Sequence, residues 1–231
     1  MHFLGFAFTV ILLLSLTPPC FAVEDIAFLP NRPMQRVQIE KIPQWNRIVQ
    51  NYNKDKAIYA RCVESSSFCP NERLKIWGKF VHAIKDEPQE IQAAYVNGWF
   101  NRMPYREDKW IYGQRDHWAD LAQFLQYSGD CEDFSIAKYI TLRVLGFSSE
   151  QLKVAMVYDV YSGTDHAFTI ARVGLSDYIL DSRDAAMEPG RFVARYQPHY
   201  AFNEDQVWVY KRPVMARSIR KDNPQVMPGN R

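Results

Sequence analysis

The sequence predicts an α+β domain in which N-terminal helices pack on an antiparallel β-meander. Three observations lead there. As far as about residue 146 the apolar residues recur at helical spacing; beyond about residue 150 they alternate with period two; and the strand-like runs are joined by links too short for a crossover helix. The chain has 231 residues, 47% hydrophobic and 14% aromatic, which supports a substantial core and excludes disorder. A formal net charge of +2 and the absence of a basic run argue against nucleic acid as a partner.

Helical patterning starts near Gln44, in QWNRIVQNYNKDKAIYARC. A second helix fits Glu72 to Lys85, with Leu74, Ile76, Trp77, Phe80, Val81 and Ile84 as its apolar face. A third begins at Pro88, a favoured first helical position, and is expected to bury Ile91, Ala94, Tyr95, Gly98 and Trp99. The stretch NRMPYREDKWIYGQRDHW reads as a loop, followed by a short helix from Ala119 to Gln126. Another helix opens within SGDCEDFSIAKYITLRVLGF. Asp130 is its N-cap, Asp133 sits in a capping-box position, and Phe134, Ala137, Ile140 and Val144 form its buried stripe. Gly146 can end it. Strands follow at KVAMVYDVY (153–161), HAFTIARV (166–173) and YILDSR (178–183), separated by the turn sequences SGTD and GLSD, with a further strand at QVWVYK (206–211).

Ahead of this domain, Phe3 to Leu16 is apolar but short for a membrane crossing, and Pro18-Pro19 breaks it. Residues 1–22 therefore read as a secretory signal cut near Ala22, with an uncleaved anchor as the alternative. Residues 23–43 read as an extended segment, 44–212 as the folded domain, and 213–231 as a flexible, Pro-containing tail. Cys20 would leave with the signal. In an oxidising compartment Cys62 and Cys69 can close the loop CVESSSFC as a disulfide. Cys131 is then the odd thiol, and an unpaired cysteine in an exported protein is a candidate reactive group.

The first turn of a helix stabilises an anion, which favours a thiolate at Cys131, while Asp130 and Glu132 oppose it. A divalent cation would neutralise the two carboxylates, and hard oxygen ligands suit calcium better than zinc. A cysteine nucleophile also needs a base and a group to orient that base. His166 opens a predicted strand, and the next strand offers Asp181 and, just beyond, Asp184. If GLSD is the whole turn, Val173 faces Tyr178; His166 and Asp181 then share a face of the sheet, and Asp184 points the other way. The offset along the strands is four residues, roughly 13 Å at ~3.3 Å per residue, which a different register of the same parity would shorten. His82, His117 and His199 have no carboxylate on a neighbouring strand in this reading.

GDCEDFSIAKYITLRVLGF, the later HAF and ILD, and the upstream YGQRDHWADLAQFL resemble the bacterial transglutaminase-like cysteine proteinases, the LapG family, over about residues 45 to 210. The resemblance implies a papain-like, transglutaminase-like cysteine protease fold. It implies periplasmic cleavage of the N-terminal region of a large surface adhesin at a small-residue site, and so control of biofilm release. It implies that Cys131 is the nucleophile, His166 the general base and Asp181 the orienting acid, and that Asp130 and Glu132 bind calcium. It also implies an inner-membrane receptor of the LapD type, responsive to cyclic di-GMP, as a partner. The chain departs from the family pattern at Ser182-Arg183 after the third of these residues, in the CVESSSFC segment and in the basic tail. Two rival readings stay open at this point. One is a transglutaminase or amidase using the same three residues; the other is a non-catalytic, calcium-responsive binding module. The Cys131 amide is one candidate oxyanion donor, and Gln114 and Trp118 are candidates for a second.

Overall fold

The computed structural model describes residues 34–37, 42–184 and 195–210. The expected signal (1–22), most of the extended segment (23–43) and the tail (213–231) lie outside the described residues. Among the described residues six α-helices precede the main strands: α1 Pro43–Glu64, α2 Glu72–Ile84, α3 Gln89–Phe100, α4 Asp108–Ile111, α5 Leu121–Tyr127 and α6 Cys131–Val144. Pro43 stands in the first turn of α1, and Asn71 caps α2 by accepting from the Leu74 amide at 2.9 Å. Asp120 and Gln123 form a reciprocal capping box on α5. Gly146, at φ 95°, supplies the left-handed residue just beyond the end of α6. None of the helices among the described residues is long and apolar enough to cross a membrane.

The strands form a single antiparallel sheet in the order β1-β6-β5-β2-β3-β4, with β1 Met34–Val37, β2 Leu152–Asp159, β3 Thr164–Val173, β4 Ser176–Leu180, β5 Tyr196–Phe202 and β6 Val207–Tyr210. The expected meander is β2-β3-β4, and β5 returns to the far side of β2. One sheet face, carrying Leu152, Val154, Ala171, Leu180, Phe202 and Val207, packs with Trp45, Trp77, Phe100, Phe124 and Tyr139 into the main core. The other face holds Phe168, Ile170, Ile179, Tyr196 and Trp208 in a second buried cluster. α6 is the central helix: Asp133 through Leu142 are buried on every side, so its burial is wider than the stripe expected from Phe134, Ala137, Ile140 and Val144, and Val144 is only partly covered.

Three expectations need correction. α3 buries Gln92, Ala93, Val96, Asn97 and Phe100, whereas Ile91 and Tyr95 are exposed. The buried face includes two amides because each finds partners: Gln92 Nε2 donates to the Ile84 and Lys85 carbonyls, and Asn97 binds across to α6. Pro88 is the N-cap of α3 rather than its first residue. Two strands, β1 and β5, lie where no strand was expected. β5 contains Pro198 and a register shift between Met156 and Val157 of its partner, a bulge at His199 that breaks the alternation. That bulge lets Tyr196 and Ala201 face the same buried cluster.

Candidate active site

The β3–β4 turn is shorter than GLSD. Val173 pairs with Ser176 and Thr169 with Leu180, leaving Gly174-Leu175 as a two-residue loop. Gly174, at φ 60°, takes the first central position, where glycine is preferred. The register keeps the expected parity but slides by two residues, which halves the offset between His166 and Asp181. Their side chains meet, with His166 Nε2 2.8 Å from Asp181 Oδ1, and both residues are only 1% exposed. Asp184 lies beyond, its backbone carbonyl accepting from Asn97 and Asn101.

The Asp181 carboxylate is fully engaged. Oδ1 also accepts the Arg183 amide at 2.8 Å, and Oδ2 accepts the Tyr196 hydroxyl at 2.6 Å. Burial alone would raise its pKa. The His166 hydrogen bond and charge, with help from Tyr196 and the Arg183 amide, more than offset this and hold it at about 2. The second ring nitrogen of His166, Nδ1, is buried without a partner among the described residues.

Cys131 opens α6 as expected and is the free cysteine among the described residues. Because β4 stops at Leu180, opposite Thr169, residues 164–168 of β3 have no β4 partner. The start of α6 meets this edge, and the Ala167 amide, next to His166, favours the ionised sulfur. Burial and then Glu132 and Asp130 outweigh it and push the thiol up. Sγ donates to Glu132 Oε2 at 3.1 Å, and no hydrogen bond joins it to His166. Of the two upstream oxyanion candidates, Trp118 already donates its indole N–H to Asp116 Oδ1 at 3.0 Å, and Gln114 is exposed.

The acidic pair has more company than the sequence suggested. Glu132 converges with Asp108 and Asp116, while Asp130 converges with Asp108 and Asp133. Asp108 is 2% exposed, and its Oδ1, like Asp130 Oδ1, is buried without a partner. Its other oxygen accepts the His117 amide at 2.5 Å, and Asp133 Oδ1 accepts the Ala119 amide at 2.6 Å. Burial first, then the neighbouring carboxylates, push Asp130 up to about 10 and, despite the Ala119 amide, Asp133 up to about 8. Such crowding suits a hard cation with several oxygen ligands. Asp108 and Asp116 could have been sought in the sequence as the acidic residues of the loop just upstream.

The remaining predicted positions are placed as follows. Cys62 and Cys69 are joined as a disulfide in the α1–α2 connection. His82 Nδ1 lies 2.8 Å from the Val63 carbonyl, and the His117 ring lies against Tyr112, tilted by 38°. His199 Nε2 is 3.1 Å from the exposed Asp165, which lies on β3, the strand beyond its neighbour β2. The unforeseen bulge puts it there.

The profile of the bacterial transglutaminase-like cysteine proteinases matches residues 49–211. The chain belongs to that family. This proteinase is also similar to solved structures of LapG from Legionella pneumophila. With the calcium-bound form it shares 29% identity, over 64% of this chain and 84% of that one, at a TM-score of 0.55. With a second LapG structure it shares 28% identity over 70% and 89%, and with the EGTA-treated form 28% over 69% and 86%, each at a TM-score of 0.55. No curated protein matches the proteinase. Its mixed helical and antiparallel architecture is that of a transglutaminase-like cysteine protease.

Proposed function

We propose that this proteinase is an endopeptidase in which Cys131 is the nucleophile, His166 the general base and Asp181 the group that orients it. The carrying observation is the buried 2.8 Å pair of His166 Nε2 and Asp181 Oδ1, which leaves Nδ1 as the partnerless ring nitrogen. Asp181, held ionised, fixes the tautomer with the proton on Nε2, so that Nδ1 carries the lone pair. Rotation of the Cys131 side chain away from Glu132 offers its proton to Nδ1. The thiolate attacks the scissile carbonyl, and the Cys131 amide at the start of α6 donates to the developing oxyanion. His166 returns the proton to the leaving amine, and water, deprotonated by the same nitrogen, resolves the acyl-enzyme.

The residues also fit a calcium ion. Asp108, Asp116, Asp130, Glu132 and Asp133 supply oxygen donors only, and the buried, partnerless Asp108 Oδ1 and Asp130 Oδ1 await a positive partner. When bound, the ion would neutralise the carboxylates that oppose a thiolate at Cys131. The calcium-bound and EGTA-treated LapG structures support this reading. The substrate we infer is the N-terminal region of a large surface adhesin, cut in the periplasm under control of a LapD-type receptor. Family membership and the similarity to LapG support that choice, and the signal-like residues 1–22 support export.

The test is incubation of the purified proteinase with the N-terminal segment of a surface adhesin from the same organism, with and without a lysine donor. Wild type should release two peptides, and Cys131→Ala none. A lysine-conjugated product in place of hydrolysis would overturn the endopeptidase reading in favour of acyl transfer.

A further inference from the structure

The most deeply buried cation in the described residues has no part in the chemistry above. Lys138 lies on α6 two turns beyond Cys131 and is 0% exposed. Its ammonium donates to Asn97 Oδ1 and Asn101 Oδ1, both at 2.7 Å, and to the Leu180 carbonyl at 3.4 Å. The three N–H donors of a lysine are thereby used. Burial lowers its pKa to about 7, and Asp181 acts in the opposite direction.

The two asparagines pass the constraint on. An ammonium accepts nothing, so it selects the oxygen end of each side-chain amide and turns the nitrogen end outward. Asn101 Nδ2 then donates to the backbone carbonyls of Asp181, at 2.8 Å, and Asp184, at 3.0 Å; Asn97 Nδ2 donates to Asp184 at 2.9 Å. Residues 181–184 lie past the end of β4, where no strand holds them. The backbone that carries the His166 partner is thus gripped by amides whose orientation Lys138 dictates.

We propose that Lys138, acting through Asn97 and Asn101, is a positioning residue that sets Asp181 against His166. The proposal rests on the reading of Asp181 as the orienting acid. Lys138→Met removes the ammonium. Asn101→Asp keeps an oxygen for Lys138 but removes the donors to the Asp181 and Asp184 carbonyls. The readouts are the rate at which iodoacetamide alkylates Cys131 in the full mature chain, and the downfield proton resonance of the His166–Asp181 hydrogen bond. Both variants should slow alkylation about tenfold or more and broaden or shift the resonance, with folding confirmed by near-UV circular dichroism. A merely structural role would lower the melting temperature and leave the resonance of the folded protein in place. Should Lys138→Met not fold, Asn101→Asp decides. Wild-type alkylation and an unmoved resonance in folded Asn101→Asp, while Asp181→Ala is slow, would overturn the positioning role alone. Wild-type alkylation in Asp181→Ala would overturn the catalytic reading and this proposal with it.

Discussion

His166 and Asp181 belong to neighbouring segments that are two residues out of register, yet their side chains meet at 2.8 Å, just past Leu180 where β4 ends. The Tyr196 hydroxyl, brought in by the bulged strand β5, locks the other carboxylate oxygen at 2.6 Å. Asp181→Asn should be more damaging than the loss of one charge suggests. An asparagine that donates its N–H to Nε2 would force the ring proton onto Nδ1, the nitrogen that in the proposed mechanism receives the Cys131 proton. Peptide cleavage should fall by roughly 10²- to 10⁴-fold, to a level similar to that of His166→Ala. Initial rates at saturating substrate would show it.

The same pair has a pH signature. The folded pKa of Asp181 is depressed to about 2, below an unfolded value near 3.9, so its stabilisation is present above pH ~4 and lost as the pH falls through 2. The contribution is roughly 2–3 kcal/mol at ~1.4 kcal/mol per pKa unit. Urea melts of wild type and Asp181→Asn should differ most near pH 6 and converge as the pH approaches 2. A constant difference across that window would remove the charged role of Asp181.

Gly129 precedes the cap of α6, and a Cβ built there would collide with the Asp133 side chain. Asp133 receives the Ala119 and Asp130 amides, so it has nowhere to retreat without losing both. Gly129→Ala should therefore misplace the start of α6 and cost about 1–3 kcal/mol in stability, with activity lost even at temperatures where the chain is folded. Thermal melts and peptide cleavage on the same preparation would test this.

The helical half of the fold and the three-strand meander were legible because their apolar residues keep the two simple periods. β5 was not, since Pro198 and the bulge at His199 erase the alternation, and β1 offers only four residues. Cys131, His166 and Asp181 were legible as residue types at a helix start and on adjoining strands; the parity argument survives a two-residue error in register because side chains alternate with period two. Asp108 and Asp116 were missed because their stretch reads as a loop, whereas Asp108 opens the short helix α4 and only the fold brings it and Asp116 to Glu132. Lys138 did leave a signal, a lysine among the buried positions of the SIAKYITL segment. Its partners on α3 were hidden because the apolar pattern put the wrong face of that helix inward, where Asn97 in fact lies.

The disulfide should matter for stability and not for chemistry. Cys62, in the last turns of α1, and Cys69, in the connection to α2, close a loop of seven residues' separation, and the Cys62 sulfur sits against the Leu74 carbonyl of α2. Chain-entropy reasoning assigns such a loop about 2–3 kcal/mol. The double variant Cys62→Ala/Cys69→Ala should melt several degrees lower while cleaving its substrate at the wild-type rate well below that temperature.

The acidic cluster gives a more discriminating test, because removing one carboxylate should act in opposite directions with and without metal. Asp108 belongs to both carboxylate groups, and burial followed by neighbouring charges raises its pKa even though the His117 amide lowers it. In chelator the crowding of buried carboxyls is relieved only by raising their pKa values, which costs stability, so Asp108→Asn should melt at the wild-type temperature or above; the asparagine oxygen still accepts the His117 amide. With calcium at about 100 times its dissociation constant, wild type should gain about 2.7 kcal/mol. For a domain of this size that is a rise of about 5–10 °C in melting temperature. Asp108→Asn should gain much less, having lost a charged ligand common to both groups. Equal shifts in the two proteins would place the ion elsewhere, and no shift in wild type would remove calcium from the site.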